Sequence, residues 1–208
     1  MPNSEHSQQG TVLAMVPDMS GSNISNPLPD SQQISEIIDL VTAPQSHIGF
    51  GLVTDSSWSR PLIRMEFSLD TLALEGLLLS QRIQAVSENR EIRQRYDSTK
   101  ALFISKIMKM ISETPTSNST DLSGSVDRVA TMLDEPIFEQ WNRVSCWWTD
   151  ARNTVSRRPY HSLKGTVVVV GARANDATNF YNEPILFEST IGLIHWIRNW
   201  RRAYLVKP

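Results

Sequence analysis

The chain has 208 residues, 40% hydrophobic and 20% charged, enough for one packed core or a core with a tail. No apolar stretch reaches membrane-spanning length, and a single cysteine, Cys146, excludes an internal disulfide and a cysteine-rich zinc site. The net charge of −2 is unevenly spread, because residues 1–59 hold no Lys or Arg and all twenty basic residues follow; any nucleic-acid contact must come from folded basic positions and not from an N-terminal arm.

The opening MPNSEHSQQG lacks a basic and an apolar leader region, so no secretory leader is expected, and the single cysteine leads to the expectation of a reducing compartment. Residues 1–30 are rich in Ser, Asn, Gln, Pro and Gly and read as a flexible N-terminal segment. In DSQQISEIIDLVTAP, Asp30 or Ser31 can cap a short helix whose inner face is Ile34, Ile37, Ile38 and Val41, with Pro44 as its stop. SHIGFGLVTDSSWSRPLIRMEF suggests loop and short strand. SLDTLALEGLLLSQRIQAVSEN reads as a helix capped by Ser68, with Leu69, Leu72, Leu77, Leu79, Ile83 and Val86 giving an apolar surface broad enough for burial on two sides. A break near residues 87–89 is expected before a second helix carrying the stripe Tyr96, Phe103, Ile107 and Ile111.

A polar loop at 113–125 separates this pair from a helix beginning near Ser125, with Val126, Val129 and Leu133 on one side. Asp134-Glu135-Pro136 predicts a stop and a new helical start. IFEQWNRVSCWWTDAR continues it, with Ile137, Trp141, Val144 and Trp148 spaced as a face. KGTVVVVGAR is the one clear strand, and IGLIHWIRNWRRAYLVKP a last helix with a basic end. The expected fold is mainly α: a four-helix bundle over 31–196 with a little strand, and a basic tail at 197–208.

No catalytic pattern emerges. His6, His47, His161 and His195 have no metal-ligand spacing, Cys146 sits among tryptophans as a small hydrophobe, and VVVVGARAND lacks the further glycines of a phosphate loop. The expectation is a non-enzyme with no metal and no cofactor. Arg90, Arg93 and Arg95 cluster within six residues, and Arg128 follows the polar loop. They read either as a solvated surface or as phosphate contacts. Six tryptophans exceed the needs of one small helical core, which suggests aromatic anchors between subunits.

The order of helix, helix pair, polar loop, helix and aromatic C-terminal region resembles the coat proteins of rod-shaped plant RNA viruses, the tobamovirus-like group that includes hordeiviruses and pecluviruses. TPTSNSTDLSGSVDRVA is similar to that family's passage into its fourth helix, with Val126 and Asp127 on its Val-Asp, Arg128 at its second acidic position and Ser125 in place of an arginine. FESTIGLIHW supplies Phe187, Glu188, Gly192, Leu193 and Trp196 for its C-terminal signature, and SRRPYHSLKG competes with Arg157 and Tyr160. The resemblance implies a capsid protein of virion and host cytoplasm that assembles helically with identical subunits. It would enclose single-stranded genomic RNA through Arg90, Arg93, Arg95, Asp127 and Arg128, with no membrane partner. The alternative is a matrix-type protein whose RNWRRAYLVKP stretch lies at a membrane surface.

Overall fold

The segment TVLAMVP, expected within a loose N-terminal region, is the strand around which the molecule is built. In the computed structural model, which describes residues 10–24, 26–42, 44–154, 161–180 and 183–205, it forms β1 (Thr11–Pro17), buried along its whole length. A run of apolar residues without alternation suits a parallel strand covered on both faces. The remaining elements are α1 (Ser31–Val41), β2 (Gln45–Phe50), β3 (Ile63–Ser68), α2 (Leu79–Glu113), α3 (Leu122–Leu133), β4 (Asn142–Trp148), β5 (Thr166–Val170), β6 (Ile185–Phe187) and α4 (Thr190–Leu205). Residues 1–9, and with them His6, lie outside the described residues, as do Arg157 and Tyr160.

The expected four-helix bundle is therefore corrected to an α/β fold with a six-stranded mixed sheet, ordered β3-β2-β1-β4-β5-β6. All neighbours pair parallel except β2 and β3. The decisive difference lies in NRVSCWW. Helical spacing groups Trp141, Val144 and Trp148, but the segment alternates as a strand does. Val144, Cys146 and Trp148 point into one core and Trp147 into the other. The helical start at Pro136 lasts a single 3-10 turn, Pro136–Phe138.

Helices α1, α2 and α4 cover one face of the sheet over Leu13, Met15, Ile48, Phe50 and Val168. Helix α3 covers the other over Val12, Ala14, Val16 and Val169. The reading of α1 holds in detail: the Asp30 side chain accepts from Gln33 N–H at 2.8 Å, Gln33 answers with its own side chain, and Ile34, Ile37, Ile38 and Val41 are buried. Tyr96, Phe103 and Ile107 are buried as expected. The two helices expected across 68–112 are instead the end of β3, a loop, and one unbroken helix of 35 residues. Of the apolar set expected to be buried on two sides, Leu72, Leu77, Leu79, Ile83 and Val86 are exposed, and Leu69 packs partly buried against the core.

Candidate metal centre at the mouth of the sheet

Strand order reverses between β1, whose chain leads on to β2, and β4, whose chain leads to β5 on the opposite side. In open α/β sheets the crevice beyond the carboxyl ends of such strands is the place for ligands. Here it receives Asp18-Met19-Ser20-Gly21-Ser22 from the end of β1 and Thr149-Asp150 from the end of β4. The polar loop before α3 supplies a third wall, ending in Thr120.

Each wall is fixed by its neighbours. Asp18 Oδ1 accepts the Ser20 N–H at 2.8 Å and Oδ2 accepts the Thr149 hydroxyl at 2.7 Å, while the Ser20 and Ser22 hydroxyls lie 3.1 Å apart. The buried Asn23 amide donates to the carbonyls of Asp18 and Trp148, tying the two strand ends behind the site. The loop from α2 to α3 docks through Gly21 N–H to Ser117 O and Ser117 N–H to Met19 O, both 2.9 Å. Thr120 N–H donates to the Thr154 hydroxyl at 2.7 Å, and Thr154 N–H returns to Thr120 O. Asp121 caps α3 by accepting from Gly124 N–H at 2.8 Å.

The result is a set of two carboxylates and three hydroxyls from three segments. Among the described residues, no three His, Cys, Asp or Glu gather as metal ligands; this group differs because most of its oxygens are hydroxyl. Thr120 Oγ1 and Asp150 Oδ2 are buried without a hydrogen-bond partner. The Arg152 Nε lies 3.8 Å from Asp150 Oδ2, too far for a hydrogen bond. Buried polar oxygens are ordinarily satisfied, and two orphans on segments that meet at the strand ends call for a partner. Asp18 shows the same demand. Burial pushes its carboxyl above the ordinary 3.8 and the Asp150 charge adds to the rise, against hydrogen bonds from Thr149 and Ser20. Hard oxygen donors with a local excess of negative charge fit Mg²⁺ or Mn²⁺.

The residues singled out from the sequence are not brought together. Arg90, Arg93 and Arg95 lie exposed on α2. Arg128 is on α3, across the sheet, and buried: its guanidinium donates to Arg60 O at 2.6 Å, Leu52 O at 3.0 Å and Ser125 Oγ at 3.2 Å. Burial lowers its pKa to about 10, opposed by Asp121, so it remains a cation at neutral pH. Asp127 is buried and accepts from His161 N–H at 2.8 Å. Cys146 is fully buried, its thiol pKa pushed up by that burial alone. The residues that sequence reasoning passed over are Asp18, Ser20, Ser22, Thr120 and Asp150. Their signal was an aspartate with two alternate serines directly after one apolar run, and a Thr-Asp pair directly after another.

The sequence matches no protein-family model and no curated protein. Its arrangement is of the Rossmann or von Willebrand A-like kind. It is similar to proximal thread matrix protein 1 of the mussel byssus, with 10% identity and a TM-score of 0.50, over 95% of this chain and 48% of that one. This chain thus spans about half of that structure, and the likeness is one of fold. Fainter likenesses are to manganese-loaded TRAP of Plasmodium vivax (13% identity, TM-score 0.48, 93% of this chain and 74% of that one) and the pilus adhesin SpaC of Lactobacillus rhamnosus GG (10%, 0.46, 95% and 30%). These two bear on neither fold nor function.

Proposed function

We propose that this chain is a divalent-cation-dependent binding module. The carrying observation is the pair of buried, unpartnered oxygens, Thr120 Oγ1 and Asp150 Oδ2, on the two segments that dock by hydrogen bonds against the Asp18–Ser22 stretch. Those five residues would hold Mg²⁺ or Mn²⁺, and the bound ion would supply a positive centre for an external oxygen ligand such as a carboxylate. The chain's own groups do the positioning. Ser20 N–H and Thr149 hydroxyl hold both oxygens of Asp18, Asn23 clamps the strand ends, and the Ser117 contacts carry Thr120 into place. Three hydroxyls among the donors leave less negative charge than a carboxylate cage, which favours an acidic group on the partner.

Isothermal titration of metal-free protein with MnCl2 tests the reading. One saturable site is expected, lost in both Asp18→Asn and Asp150→Asn. Retention of the Mn²⁺-loaded protein on a carboxymethyl-dextran surface, released by EDTA, tests the acidic partner. Absence of a saturable Mn²⁺ site would end the proposal.

A further inference from the structure

Two exposed apolar residues stand on segments tied to the oxygen donors at the strand ends. Ile24, 82% exposed, closes the 3-10 turn Gly21–Asn23, two residues and at most about 7 Å of chain beyond Ser22. Trp58, 54% exposed, lies in the 3-10 turn Ser57–Ser59 between β2 and β3. Its N–H donates to Asp121 Oδ2 at 3.3 Å, and Asp121 directly follows Thr120. Strands β1, β2 and β4 run parallel, so both turns leave the sheet at the edge where Asp18 and Thr149 meet.

A lone exposed apolar side chain is ordinary. The loop that presents Trp58 is unusual because it is fastened at both ends and in the middle. Val53 N–H donates to Pro17 O at 2.8 Å and Met19 N–H to Val53 O at 3.0 Å, which sets the loop against the Asp18 segment. Asp121 N–H donates to Thr54 O at 2.7 Å, and Thr54 N–H to Ser57 Oγ at 2.9 Å. At the far end the buried Arg128 guanidinium donates to Arg60 O at 2.6 Å. A loop so constrained has already lost the freedom that a flexible one would lose on binding. It holds in solvent a tryptophan, a residue type enriched at binding hot spots.

We propose that Ile24 and Trp58 form a specificity surface beside the metal centre, and that the partner is a protein offering one aspartate or glutamate flanked by large apolar side chains. The proposed ion, on which this inference rests, takes the carboxylate, and the two apolar residues take its neighbours. Charge and side-chain chemistry select this occupant. The stretches 18–24 and 54–59 hold two charged residues, Asp18 and Asp55, both acidic. A polyanion such as a nucleic acid would call for a basic surround, whereas a single carboxylate needs only the ion. A saccharide could stack on Trp58 but would gain little from Ile24, a branched aliphatic group with no polar atom. In an extended segment, side chains two positions apart share a face, which places the apolar neighbours at the second position to either side of the acid.

Surface plasmon resonance of the Mn²⁺-loaded full chain over immobilised peptides tests the proposal. One peptide carries a central glutamate with leucines two positions to either side, a second has serines for the leucines, and a third has glutamine for the glutamate. The leucine–glutamate peptide binds at least fivefold more tightly than either of the others and is released by EDTA. Trp58→Ala and Ile24→Ser each reduce the preference for leucine over serine at least threefold, while Mn²⁺ affinity by titration calorimetry is unchanged. Equal binding of the leucine and serine peptides overturns the proposal. So does a preference that survives both substitutions, persists in EDTA or is abolished by neutral oligosaccharides, and so does a loss of preference matched by an equal loss of Mn²⁺ affinity. A chain with no saturable Mn²⁺ site ends the metal centre and this surface together; a normal Mn²⁺ titration without leucine preference ends the surface alone.

Discussion

Asp18 and Thr149, 131 positions apart, are joined at 2.7 Å by a hydrogen bond from the Thr149 hydroxyl to Asp18 Oδ2. The same hydroxyl oxygen accepts the N–H of Ala151 at 3.0 Å, and Ala151 has a φ of 62°. Thr149 thus aims one carboxylate and shapes the turn that carries the other. Thr149→Val keeps the volume and removes both bonds. Outer-shell partners of a metal ligand are commonly worth 10–100-fold in affinity, so Mn²⁺ binding should weaken by about tenfold or more. Thr149→Ser should restore most of it. Titration calorimetry on the three proteins gives the comparison, and equal affinity in Thr149→Val would leave Thr149 a purely structural residue.

Asp150→Asn should separate metal binding from stability. In the metal-free protein the Asp150 charge pushes the buried Asp18 carboxyl upward, so its removal relieves a like-charge repulsion. The variant should melt at the same temperature as the wild type or slightly above it, yet gain nothing from MnCl2. Loss of the fold in this variant would instead show that Asp150 is needed for the turn after β4.

The pH dependence follows from Asp18. Its carboxyl is raised above 3.8 chiefly by burial. Folding therefore favours its neutral form, and the metal-free protein loses stability as pH rises from 3.8 through the raised value. A cation binds only the ionised form, so it offsets this loss where the loss is complete. The rise in melting temperature caused by Mn²⁺ should be largest near neutral pH and shrink as pH falls through the carboxylate range. A gain independent of pH would place the ion elsewhere.

The parts of the fold legible in the sequence were those whose neighbours are local. Helix α1 carries its own cap and stop at Asp30 and Pro44, and TVVVV is bounded by glycines. Segments whose shape depends on distant pairing were not legible. TVLAMVP is a strand because β2 and β4 flank it, and its polar surroundings hid it. NRVSCWW satisfies a helical and a strand pattern equally, and only burial on both faces decides between them. The site failed to appear for the same reason. Asp18, Thr120 and Asp150 are far apart in sequence, and a donor set with more hydroxyls than carboxylates has no His or Cys to mark it. The leucines of LALEGLLLSQRI were legible as unusual, but their count alone did not say that the chain leaves them exposed.

Arg128 separates the RNA reading from the structural one. Buried beneath Gly51, where an added Cβ would meet its Nη2 at 2.8 Å, the guanidinium is used on Arg60 O, Leu52 O and Ser125 Oγ. Arg128→Ala leaves these acceptors without their charged donor and should cost about 2–4 kcal/mol. Arg128→Lys should recover little, since an ammonium cannot reproduce the planar fork. Arg95→Ala, on an exposed stretch of α2, should stay within about 0.5 kcal/mol of wild type. Urea unfolding measures all three. If RNA does bind, the salt dependence of binding should change with Arg90, Arg93 or Arg95 and not with Arg128. An Arg128→Ala protein as stable as wild type, with a reduced salt slope, would return that residue to the phosphate contacts.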